Sequence, residues 1–147
     1  MKVSPARIEL EVARAAVERG ARTRFTFPVT GASMTPALTG GMRVTVETAP
    51  PESLAPGELV CWFDPSRGPD HKVVHRLVGT ARGDGGRLLL VTRGDASAVE
   101  DPPVPADCVI GRVVEVRPPG LIYRVRRLAG GLVRAALGLA RRAFRRA

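Results

Sequence analysis

The chain has 147 residues, 44% hydrophobic and 25% charged, a balance that fits one globular domain and excludes a disordered polymer. Its net charge of +9 is lopsided: residues 121–147 hold eight arginines and no acidic residue, whereas residues 1–120 hold fifteen Lys or Arg against fourteen Asp or Glu. No run reaches the roughly 18–20 apolar residues of a membrane span, and charges interrupt the N-terminal stretch too often for the apolar core of a signal peptide.

Residues 1–23 form a lead-in in which residues 5–19 predict a short helix. Ser4 stands at its cap, Pro5 in its first turn and Gly20 past its end. Ile8, Val12 and the Ala15/Ala16 pair fall on one face, with Leu10, Ala13 and Val17 beside them. So modest a stripe predicts a helix packed on the domain rather than one standing alone.

Residues 24–118 change period. "RFTFPV", "MRVTVE", "ELVCWF", "KVVHRLVG", "RLLLVTR" and "CVIGRVVEV" are short β-prone runs separated by Gly-, Pro- and Asp-rich connectors. Strands without intervening helices predict a mainly β body. "MRVTVE" alternates cleanly, which predicts a strand with one wet face. Cys61 and Cys108 lie in apolar runs and read as free thiols serving as small hydrophobes. No Cys-x-x-Cys or Cys/His ligand spacing occurs, so neither metal nor cofactor is expected.

Residues 119–147 change period again. Leu121, Val125, Leu128, Leu132, Ala136, Ala140 and Phe144 recur three or four apart among arginines, the pattern of a basic amphipathic helix with a Gly130-Gly131 break. Such a segment suits an anionic membrane surface, and equally a stripe packed on the β body with its arginines solvated. Nucleic acid is the poorer match, because no aromatic interleaving or binding motif accompanies the arginines. The expected location is cytoplasmic or peripheral to a membrane.

The chemistry turns on a serine in "GASMTP", Ser33. A serine nucleophile needs a base within hydrogen-bond reach. The chain has two histidines, His71 in a polar connector and His75 at the centre of "VVHRLVG". Imidazole, with an ordinary pKa of about 6.5, is already a usable base at neutral pH. Lys72 would need its pKa lowered by several units. Asp95 in "RGD" and Asp101 before Pro102-Pro103 each suit a turn, and either could orient a histidine.

Taken in order, "GASMTPAL", "GMRVTV", "PGELVCWF", "VVHRLVG", "VTRGDASAVEDPPVP" and "VIGRVVEV" resemble the signal peptidase I family over about residues 29–116. That family consists of β-rich serine endopeptidases related in fold to LexA-like self-cleaving repressors. The resemblance implies Ser33 as nucleophile and His75 as general base, as in the archaeal and endoplasmic-reticulum branch. Asp95 and Asp101 match that branch's two aspartates, and which of them orients His75 stays open. Met34 and Pro36 are implied as substrate-binding neighbours. Many members carry a serine where this chain has Gly31, which implies an oxyanion site built mainly from main-chain N–H groups. The implied activity is cleavage of a signal or leader peptide in a preprotein. A self-cleaving regulator and an inactive peptide- or membrane-binding relative are the alternatives.

Overall fold

The computed structural model describes residues 4–119, so the expected C-terminal helix and its membrane contact lie outside the described residues. One helix, α1 (Pro5–Glu18), precedes seven strands: β1 (Arg24–Pro28), β2 (Arg43–Thr48), β3 (Leu59–Phe63), β4 (Lys72–Arg82), β5 (Leu88–Arg93), β6 (Val104–Pro105) and β7 (Val109–Arg117). They make one sheet in the order β1-β2-β7-β3-β4-β5-β6 with every pairing antiparallel. The mainly β body expected from the sequence is therefore present. Among the described residues, no helix is long and apolar enough to cross a membrane.

The helix begins where Ser4 accepts a hydrogen bond from the Arg7 N–H, with Pro5 in the first turn. It ends at Gly20, whose φ of 64° is the left-handed conformation that glycine tolerates, with Ala21 N–H bonded back to the Ala16 carbonyl. The buried face differs from the expected one. Ala6, Leu10, Ala13 and Ala16 face inward, whereas Ile8 and Val12 are 50% and 41% exposed. Polar anchors set this rotation: Ala6 N–H donates to Asp70, Lys72 to Glu9, and Arg14 to the Asp107 carbonyl. The small inward alanines let the helix approach Val46, Cys61, Phe63 and Ile110 closely.

The sheet carries apolar side chains on both faces. Strand alternation sends Val60, Trp62, Val73 and Leu77 to one face, where they meet Leu90, Val104 and Val109. It sends Cys61, Phe63 and Val74 to the other, under α1 and the segment Met34–Leu38. Burial in this second layer pushes the Cys61 thiol up to about 12, which fits its role as a small hydrophobe. Cys108 is only half-buried, in the turn before β7.

Strand β2 corrects the expectation of a wet face. Thr45, Glu47 and Thr48 are all buried. Thr45 and Glu47 do alternate with Val44 and Val46, but polar neighbours cover them. Thr45 pairs with the Thr26 hydroxyl and Glu115, and Glu47 is bracketed by Arg22 and Arg24. A bulge between Thr45 and Val46 brings Gly111 of β7 so close that a Cβ there would overlap the Glu47 carbonyl. Strand β6 was not foreseen, since a Val-Pro pair following two prolines carries no periodic signal.

Candidate active site

Ser33 sits on a turn held at both ends. Val29 and Met42 pair across its base, and Leu38 N–H bonds to the Met34 carbonyl. Met34 and Leu38 are buried beside Val44, Phe27, Val74 and Val113, which leaves Ser33 exposed between its anchors. Met34 thus departs from the expected substrate-binding role: at 3% exposed its side chain is core, and its sulfur accepts a hydrogen bond from Asp95 N–H. Pro36 lies exposed two residues further along the same turn.

His75 projects from β4 on the same face as Val73 and Leu77, and all three are buried. Its Nε2 lies 2.9 Å from the Ser33 Oγ, and its Nδ1 lies 2.6 Å from the Asp101 Oδ2. A carboxylate only accepts, so Nδ1 carries the proton and donates to Asp101. The other nitrogen is then free to accept from the Ser33 hydroxyl. Lys72, one strand residue out of phase, points to the opposite face. There it pairs with Glu9 at 2.5 Å and stands 4.1 Å from the centroid of the Phe27 ring. His71 lies in the turn leading into β4.

The two aspartates have different partners. Asp101 meets His75. Asp95 instead forms a bidentate pair with Arg76 at 2.8 and 2.7 Å, and Arg76 also donates to the Gly57 carbonyl at 2.8 Å. The hydrogen bonds from the Arg76 guanidinium, together with its charge, hold the Asp95 carboxyl below the usual carboxylate range. Of the two residues left open in the sequence, only Asp101 contacts the imidazole.

Two further residues build the site and drew no attention in the sequence. Gly94 roofs Ser33. A Cβ there would stand 2.6 Å from the Ser33 carbonyl oxygen and 3.3 Å from His75 Nε2, so no side chain fits. The neighbouring Ala96 N–H donates to that same Ser33 carbonyl at 2.9 Å. Thr92, fully buried in β5, donates its hydroxyl to Asp101 Oδ2 at 2.7 Å. The glycine of "RGD" was the available signal for the first. For a threonine inside an apolar strand there was none.

A cleft of about 330 Å³ reaches the imidazole from the Asp101 side, between Trp62, Val73 and the prolines Pro102 and Pro103. A second hollow of about 400 Å³ lies by Glu47 and Arg112 and includes none of Ser33, His75, Asp95 or Asp101. Among the described residues, no group of three or more His, Cys, Asp or Glu side chains could hold a metal ion. No family model matches the chain, and no curated protein matches it.

Proposed function

We propose that this protein is a serine endopeptidase of the signal-peptidase type, acting on a signal or leader peptide. The observation that carries the reading is the continuous chain of contacts from Ser33 Oγ through His75 to Asp101, at 2.9 and 2.6 Å. In the proposed reaction the Ser33 oxygen attacks the peptide carbonyl carbon while its proton passes to His75 Nε2. Main-chain N–H groups near Ser33, its own included, meet the oxyanion. The imidazolium, steadied by Asp101, gives the proton to the leaving amine as the C–N bond breaks, leaving an ester on Ser33. His75 then takes a proton from water as the water oxygen attacks the ester carbonyl, and it returns that proton to Ser33 Oγ as the C–O bond to serine breaks and the acid leaves. The choice of a signal or leader peptide as substrate rests on the ordered motif blocks, and the serine chemistry rests on the geometry.

The test is peptide cleavage by Ser33→Ala and His75→Ala variants. Each is expected to lose activity by at least about a thousandfold, with an unchanged circular dichroism spectrum. Comparable turnover in either variant rules the mechanism out. The cationic segment 121–147 adds a second part to the proposal, attachment to an anionic lipid surface. The 147-residue chain is expected to co-sediment with phosphatidylglycerol vesicles and a chain ending at residue 120 is not. Equal sedimentation of the two refutes the attachment.

A further inference from the structure

We infer that Thr92 is a positioning residue of this site: its hydroxyl holds the Asp101 carboxylate in the one orientation that serves His75. The inference rests on the peptidase reading and extends it by one residue. Thr92 pairs with Leu77 across the β4–β5 ladder, so its side chain shares the face that carries His75. The carboxylate of Asp101 lies between them. A single oxygen, Oδ2, receives both the His75 Nδ1 hydrogen bond at 2.6 Å and the Thr92 hydroxyl hydrogen bond at 2.7 Å.

Asp101 needs such a hold. It stands on a loop, not on a strand, and its own backbone is tied at one point, where its N–H donates to the Thr92 carbonyl at 2.8 Å. Thr92 therefore grips Asp101 twice, through main chain and side chain. The backbone bond fixes where the residue stands. It leaves the side-chain torsions free, and the cleft beside Pro102 and Pro103 offers the carboxylate somewhere to turn. The threonine hydroxyl removes that freedom. Because Thr92 is 0% exposed, no water competes for its proton, and a charge-assisted hydrogen bond to the carboxylate is its strongest available partner. The same charge then has a fixed direction toward Nδ1.

Valine matches threonine in shape and lacks only the donor. Thr92→Val is expected to lower kcat roughly tenfold to a hundredfold, the scale of a small displacement in a reacting group, with KM unchanged. It is also expected to abolish the low-field proton resonance of the His75 Nδ1–H, which is read without substrate. Thr92→Ser, which keeps the hydroxyl, is expected to restore both. Wild-type kcat and an intact low-field resonance in Thr92→Val overturn the inference. So does a fall in kcat that Thr92→Ser shares while the resonance persists, since that pattern marks a packing role alone. Should Ser33→Ala retain activity, the peptidase reading fails, and the resonance still reports whether Thr92 orders the Asp101–His75 pair.

Discussion

The loop from Gly94 to Asp101 grips strand β4 at two neighbouring residues, and the grips differ in kind. At Arg76 it makes a half-exposed ionic clamp: two hydrogen bonds to Asp95, with the same guanidinium reaching the Gly57 carbonyl. At His75 it makes a buried, single-oxygen contact from Asp101, with Thr92 behind it. Adjacent residues of a strand point to opposite faces. One loop passing the end of β5 therefore meets both faces of β4, staking itself down on one and presenting a carboxylate to a base on the other. Two aspartates six positions apart thus take two different partners, Arg76 on one face and His75 on the other.

Asp101→Asn breaks this division at its most sensitive point. An amide that can donate to Nδ1 favours the wrong tautomer of His75, and kcat is expected to fall about 10³–10⁴-fold with the thermal midpoint little changed. Turnover within a factor of ten of the parent shows that His75 needs no orienting carboxylate.

Gly94→Ala attacks the point where the two grips meet. The added Cβ, 2.6 Å from the Ser33 carbonyl oxygen, must push the turn and the loop apart. Overpacking of this kind costs about 1–3 kcal/mol in stability, and the shifted nucleophile is expected to lose about a hundredfold in turnover. Denaturant unfolding and peptide kinetics on one preparation check both figures. Parental behaviour in both means the close approach is not required.

Asp95→Asn is the mildest change and probes the clamp. Both partners are partly exposed, so its loss is expected to cost only about 0.5–1 kcal/mol at neutral pH. Catalysis is expected to fall less than tenfold. The pH dependence has a definite sign. A carboxyl with a lowered folded-state pKa contributes stability above its unfolded value and loses it as pH falls through the folded one. The gap between parent and variant is therefore expected to stay constant from neutral pH down to the ordinary carboxylate range and to close below it. A gap that does not change with acid assigns the effect to packing.

Much of this could be read from local pattern, and the exceptions share a cause. The strand runs were visible because β-branched and aromatic residues alternate between turn formers. Ser33 and His75 stood out because few residues of their type occupy such settings. What stayed hidden depends on neighbours far away in sequence. The alternation of "MRVTVE" cannot reveal that Arg22, Arg24 and Glu115 cover its polar face. The stripe of α1 cannot reveal that Glu9 and Ala6 are tied to β4 and its preceding turn, which rotates Ile8 and Val12 outward. Asp95 and Asp101 both look like turn residues until Arg76 claims one of them. Met34, beside Ser33, looked like part of the substrate surface, and its side chain is buried in the core beneath the turn.

The short strand β6 has a consequence for how the protein behaves among copies of itself. The sheet is open, with β1 at one margin and β6 at the other. An open margin offers unpaired main-chain groups on which a foreign strand can template. At the β6 margin Val104 stands between Pro103 and Pro105, and proline has no N–H to give an incoming strand. The β1 margin ends in Pro28 and carries the exposed charge of Arg24. The proline-rich segment that delivers Asp101 to His75 thus also withholds N–H donors from this margin.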